Sequence, residues 1–208
     1  MENGTRRKPE IVVFAGPNGS GKSTLTELLR PRMAYINADE IKKNVKCGDC
    51  EAAELARCQR EDCLRRGEDF CFETVLSTRR NLHLLQRAKE AGYFIRCYYV
   101  LTVDPLINVY RIEMRVALGG HDVPWDKVFS RYDRAMALVK DVVAVSDVCH
   151  IYDNSAERPF RIFKKRKELC FYDECEDWRQ EDVQRLTQVY DATYRNLNLI
   201  HNTGIREE

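Results

Sequence analysis

Apolar residues fall into short unbroken runs separated by segments with helical spacing. Ile11 to Phe14 form a continuous apolar run, which predicts a strand over Glu10 to Ala15 buried on both faces. Lys22 to Arg30 reads as a helix that stops before Pro31. Met33 to Asn37 is a second strand, and Asp39 is placed to cap a helix beginning near Glu40. Glu51 to Arg66 is helical and ends at Gly67, and Phe70 to Phe72 is a third strand. Arg79 to Ala91 spaces Leu82, Leu85 and Ala88 on one helical face before Gly92. Tyr93 to Thr102 is a fourth strand, and Pro105 opens a helix towards Leu118.

Gly119 to Pro124 is a loop. Trp125 to Val143 is predicted as one helix, Val148 to Tyr152 as a fifth strand, and Phe160 to Tyr172 as a hairpin with a basic turn over Arg161 to Lys167. Glu181 to Asn196 is predicted as a terminal helix. Strands alternating with helices imply α/β architecture: a mostly parallel five-stranded sheet with helices on both faces, a three-layer sandwich. No repeat or linker divides the chain, so residues 1–208 are expected to form one domain, with a C-terminal hairpin and helix over about 158–200.

Composition narrows this picture. Apolar residues are 44% and charged residues 32% of the chain, a globular balance. The formal net charge of +1 provides no field for a general nucleic-acid binder or an acidic membrane. No apolar run reaches the ~20 residues of a membrane span, and Met1 to Glu10 has no signal-peptide core. A cytoplasmic protein with reduced cysteines is expected. Cys47, Cys50, Cys58 and Cys63 have the ligand types for zinc, but their spacing matches no common zinc module and two of them lie in the helical pattern.

The strongest chemical signal is Gly16-Pro17-Asn18-Gly19-Ser20-Gly21-Lys22-Ser23, a complete Walker A sequence between a predicted strand and a predicted helix. Glycines allow backbone N–H groups to turn inward around phosphate oxygens, and the helix N-terminus adds positive potential. Lys22 then belongs on the β- and γ-phosphates of ATP, and Ser23 on Mg²⁺.

Three weaker clusters follow. Asn37-Ala38-Asp39-Glu40 ends the second strand, where a carboxylate is placed either to accept a hydroxyl proton or to cap a helix. Glu73 ends the third strand on the same sheet edge. Arg111, Arg115 and Arg131 flank the Gly119-Gly120-His121 loop; they suit a lid over transferring phosphate or a solvated helix face. No apolar run ending in Asp supplies a Walker B acid.

Taken in order, these motifs resemble the zeta toxin family of small-molecule kinases, and its compact single-domain branch most. The marks are Gly16 to Thr24, Asn37 to Ile41, Phe72 to Ser77, Arg115 to Pro124 and Tyr152 to Ser155. The resemblance implies a P-loop kinase that transfers the ATP γ-phosphate to a hydroxyl, in the best-known members that of UDP-N-acetylglucosamine. It implies Asp39 as catalytic base, with Lys22, Arg115 and Arg131 (or Arg134) on the phosphates. It places Thr24 and Asn154 with the nucleotide-binding residues, and Glu73, Thr74 and His121 on the acceptor. It also implies an antitoxin protein as a partner. Larger toxins have a threonine two residues after the acceptor-binding Glu; here that residue is Val75. The alternatives are a kinase of a nucleoside, sugar or antibiotic hydroxyl, and an ATP-dependent binding switch that uses Arg161 to Lys167 on nucleic acid.

Overall fold

The run Ile11–Phe14 becomes an interior strand of an eight-stranded sheet, third from one edge, and all four residues are buried. The computed structural model describes residues 7–195. Elements run β1 (Glu10–Ala15), α1 (Lys22–Leu29), β2 (Ala34–Ile36), α2 (Ala38–Val45), α3 (Asp49–Arg66), β3 (Phe70–Thr74), α4 (Arg79–Glu90) and β4 (Phe94–Leu101). They continue through α5 (Pro105–Ala117), α6 (Trp125–Ala137), α7 (Val139–Val145), β5 (Val148–Asp153), β6 (Phe160–Arg166), β7 (Leu169–Tyr172), α8 (Gln180–Thr187) and β8 (Thr193–Tyr194).

Strand order is β2-β3-β1-β4-β5-β6-β7-β8. The first five strands in this order are mutually parallel, and they are the five expected from sequence. The sheet does not stop there. β6 and β7 extend it antiparallel, and β8 pairs parallel to β7. The five-strand expectation is therefore corrected to eight, because the hairpin's backbone hydrogen-bonds to β5 instead of standing apart. The chain leaves β1 towards β2 and β3 on one side and later fills β4 and β5 on the other. This reversal opens a crevice at the carboxyl end of β1, where ligands bind in open α/β sheets.

One sheet face carries the main core, where Ile11, Val13, Phe70, Phe72, Ile95, Tyr99 and Ile151 meet residues of α3, α4, α7 and α8. The opposite face has a smaller cluster around Val12, Phe14 and Cys71. Leu25 and Leu28 of α1 share a cavity with Val100 on that side.

Three further expectations are corrected. The predicted helix over 125–143 is two helices broken at Leu138. The buried Tyr99 hydroxyl of β4 donates to the Ala135 carbonyl at 2.9 Å, and the Leu138 amide turns onto the same oxygen at 3.1 Å. A side chain entering the helical ladder is a recognised cause of a kink. The terminal helix ends at Thr187, where Gln188 takes a left-handed φ of 57°, and the chain then forms β8; Asn196 lies outside the described residues. The cap of α2 is Asn37, whose side-chain oxygen accepts from the Asp39 amide at 2.8 Å. Asp39 sits inside the first helical turn. Among the described residues no helix is long and apolar enough to cross a membrane.

Candidate active site

The phosphate loop joins β1 to α1, and its glycines are fixed by close approach. Gly16 has φ 142°, and a Cβ there would stand 1.9 Å from the Val100 carbonyl oxygen. Gly21 has φ 92°, and a Cβ there would stand 2.2 Å from Nδ2 of Asn154. Asn154 follows β5, and its Nδ2 donates to the Ser20 carbonyl at 2.8 Å, tying the loop to the next strand but one. Ser20 is itself fully buried, so its hydroxyl faces the interior. Lys22 Nζ donates to the Pro17 carbonyl at 2.7 Å across the loop. Burial pushes the Lys22 ammonium down to about 8, the Glu73 carboxylate opposes this, and Arg115 adds to it.

Beside the loop lies a cavity of about 460 Å³ lined by Asn18, Gly19, Gly21, Lys22, Ser23 and Thr24 on one side. Asn37, Ala38, Asp39, Glu73, Thr74, Val75, Arg111, Ile112 and Arg115 complete it. A second cavity of about 400 Å³ lies beside the loop over 119–124, lined by Asp49, Ala52, His121, Asp122, Val123, Pro124, Lys127 and Arg131. Ala38 and Asp39 line both cavities, so the exposed Asp39 carboxylate stands at their junction. A third cavity of about 360 Å³, between α1 and the segment after β5, is lined by Thr24, Leu28, Val100, Arg111, Asn154 and Pro159.

The predicted residues therefore converge, with distinct settings. Arg131 Nη1 donates to Asn18 Oδ1 of the phosphate loop at 3.4 Å. Arg134, one turn on, is exposed and lines neither of the cavities beside Asp39. Arg115 Nη2 donates to the His121 carbonyl at 2.6 Å, which folds the loop over 119–124 back on α5. His121 also lines the second cavity. Thr74 spends its hydroxyl locally: it accepts from the Leu76 amide at 3.0 Å and from Asn81 Nδ2 at 2.8 Å.

Glu73 pairs in register with Phe14 on the strand that carries the phosphate loop. Its Oε2 accepts from Ser23 Oγ at 3.2 Å and its Oε1 from the Tyr35 hydroxyl at 2.8 Å. An acid at the end of the strand next to β1 therefore exists, although no Asp marks it in the sequence. Burial, with Glu73 adjacent, raises the Tyr35 phenol above its ordinary value.

One residue, Tyr35, escaped sequence reasoning. Arg111, which the sequence groups with Arg115 and Arg131 around the Gly119-Gly120-His121 loop, lines both the cavity beside the phosphate loop and the cavity beside Asn154, and its buried Nη1 has no hydrogen-bond partner among the described residues.

A family model described as Zeta toxin matches residues 1–177. An uncharacterized protein of Haemophilus influenzae is 30% identical over 129 residues, which are 59% of this chain and 92% of that one. A structure from the PezAT chromosomal toxin–antitoxin system of Streptococcus pneumoniae has a TM-score of 0.57 at 14% identity, covering 89% of this chain and 82% of that chain. An AvrRxo1-ORF1:-ORF2 complex with ATP has a TM-score of 0.66 at 15% identity, covering 89% of this chain and 66% of that chain. At these identities the two structures share the fold with this chain.

Proposed function

The chain belongs to the zeta toxin family, and on that premise we propose that it is an ATP-dependent kinase of a small-molecule hydroxyl. The observation that carries this reading is Asp39 at the junction of two cavities, one formed by the phosphate loop and one by the lid. ATP occupies the first, with its γ-phosphate near Lys22 and Arg115. The acceptor enters from the second. Asp39 takes the proton from the acceptor hydroxyl as that oxygen bonds to the γ-phosphorus, and the bond from phosphorus to the β–γ bridging oxygen breaks to release ADP. Lys22, Arg115 and Arg131 face the charge that spreads over the transferring group. The segment 115–131 acts as the lid.

Mg²⁺ is the metal that such a reaction employs, and the donors fit it. Ser23 Oγ and the Glu73 carboxylate are hard oxygens 3.2 Å apart beside the phosphate loop, and Mg²⁺ commonly takes one or two protein oxygens plus phosphates and water. When bound, it neutralises phosphate charge.

The proposed acceptor is a nucleotide-linked aminosugar such as UDP-N-acetylglucosamine. The lid-side cavity supports a polar acceptor of this kind, because Asp49, His121, Asp122 and Lys127 offer both donors and acceptors. The test is incubation with ATP, Mg²⁺ and a panel of sugar nucleotides, nucleosides and aminoglycosides, read by mass for gain of one phosphoryl group. Modification of a nucleoside or an aminoglycoside alone would reject the aminosugar but keep the kinase. ATP consumption with no acceptor modified would favour a binding switch. The PezAT relative comes from a toxin–antitoxin system, and an antitoxin partner is part of the same proposal, checked by co-purification with the product of the neighbouring gene.

A further inference from the structure

Four hydrogen bonds link the metal side of the phosphate loop to Asp39. Ser23 Oγ donates to Glu73 Oε2 at 3.2 Å, and the Tyr35 hydroxyl donates to Glu73 Oε1 at 2.8 Å. Asn37 Nδ2 donates to the Tyr35 oxygen at 2.6 Å, and the Asp39 amide donates to Asn37 Oδ1 at 2.8 Å. Both Glu73 carboxylate oxygens are thus held by hydroxyl protons, one from α1 and one from β2.

From this we infer that Glu73 serves the metal and not the acceptor, and that Tyr35 is a positioning residue that sets the Glu73 carboxylate against Ser23. The inference rests on the reading of the chain as an ATP-dependent kinase. Its physical basis is the direction of the protons. A Ser23 hydroxyl whose proton points at Glu73 turns its lone pairs away from the carboxylate, where a divalent cation can take one. The carboxylate keeps lone pairs for water in that cation's shell. A flexible glutamate would sample several rotamers, each with a different distance to the cation. The Tyr35 hydroxyl removes that freedom, and Asn37 in turn fixes the Tyr35 hydroxyl. The Arg30 guanidinium, 4.6 Å over the Tyr35 ring, holds the ring from the other side. Residues that orient a metal's protein ligands typically change metal affinity by roughly 10–100-fold when they are altered.

The same chain of bonds has a second consequence. Asn37 is shared between Tyr35 and the first turn of α2, so the metal side and the Asp39 carboxylate are set by one framework. Displacing Tyr35 should move both.

The probe is Mn²⁺ in the presence of ADP, titrated on the full chain by electron paramagnetic resonance. No acceptor is needed. Glu73→Gln, which is isosteric, should weaken Mn²⁺ binding roughly 10–100-fold. Tyr35→Phe, which keeps the ring, should weaken it in the same direction by on the order of tenfold. Retained ADP binding in EDTA by both variants shows that they fold. Mn²⁺ affinity unchanged in Glu73→Gln, with a raised KM for the acceptor, would overturn the metal assignment and return Glu73 to the acceptor. A loss in Glu73→Gln with none in Tyr35→Phe would overturn the positioning role. An unsubstituted chain that binds no Mn²⁺–ADP at all would sink the kinase reading, and this inference with it.

Discussion

Arg131 of α6 reaches back across 113 residues of chain to donate to Asn18 in the phosphate loop at 3.4 Å. Helix α6 therefore touches the phosphate loop directly. Its guanidinium has only one proton in that contact, which leaves others for a phosphate oxygen. Arg131→Ala should lower phosphotransfer turnover by roughly 10²–10³, the usual loss for one donor to transition-state charge. Arg134→Ala should leave turnover unchanged, since Arg134 points to solvent. Steady-state rates with melting curves separate the two, and equal losses would reject the assignment.

Asp39 and Asn37 can be told apart because the structure divides their tasks. Asn37 caps α2, and Asp39 is free of that duty. Asp39→Asn should cost no more than about 0.3–1 kcal/mol of stability, for the charge lost from the first turn of α2, and lower turnover by ~10²–10⁴, the range for a lost general base. Asn37→Ala should cost about 1 kcal/mol of stability for the missing cap. If Asp39→Asn turned over at the original rate, no base would be needed at that position.

Lys22 sets a pH dependence. Burial holds its ammonium at about 8 in the free protein, with Arg115 acting in the same direction against Glu73. Metal-free ATP favours the charged form. Affinity measured in EDTA should therefore weaken as pH rises above that value, towards about tenfold per pH unit. Lys22→Ala should bind weakly with no such slope. Calorimetry in two buffers should show proton uptake on binding near that pH. A slope of the opposite sign would mean that Lys22 faces away from the phosphates.

Much of this site is legible in the sequence, and the omissions have physical causes. Ile11–Phe14 and Phe70–Phe72 announce central strands because a parallel sheet buried on both faces needs unbroken apolar runs. The phosphate loop is written in glycines that positive φ and close approach of neighbouring atoms explain. Tyr35 was invisible for a different reason. Its partner Glu73 is 38 residues away, and only strand pairing brings them together, with Tyr35 opposite Cys71 in register. The signal was a half-buried aromatic on the strand beside an acid. The break at Leu138 likewise depends on the Tyr99 hydroxyl from another element. β8 depends on β7 for every one of its pairings, so a local pattern reads its neighbourhood as helix.

The lid predicts a protection pattern. Residues 119–124 form no regular element, and the Arg115 bond to the His121 carbonyl at 2.6 Å holds the loop against α5. ATP offers Arg115 a better acceptor than a carbonyl. Nucleotide should release the His121 contact, and nucleotide with acceptor should order the loop over the lid-side cavity. Amide exchange over 119–131 should rise or hold with ATP alone and slow when both ligands are present. Exchange that ignores both would remove the lid from the mechanism.

Gly21 and Asn154 form the sharpest test of the loop's geometry. Any side chain at Gly21 meets two separate penalties. Its φ of 92° is costly for an L-residue, on the order of 1–2 kcal/mol. A Cβ would also lie 2.2 Å from Asn154 Nδ2, so the amide must leave the Ser20 carbonyl that it holds at 2.8 Å. That lost hydrogen bond is worth about 0.5–1.5 kcal/mol. Gly21→Ala alone should incur both penalties. In an Asn154→Ala background the amide is already gone and only the backbone strain remains. The double variant should therefore be more stable than the sum of the single effects by about 1 kcal/mol, a coupling that urea melts of all four proteins can resolve. Additive effects would show that the Asn154 amide does not pack on Gly21. Nucleotide affinity supplies the second readout. Asn154→Ala should weaken ATP binding by loosening the Ser20 carbonyl, and Gly21→Ala should weaken it further, because the amides that surround the phosphates turn with that backbone.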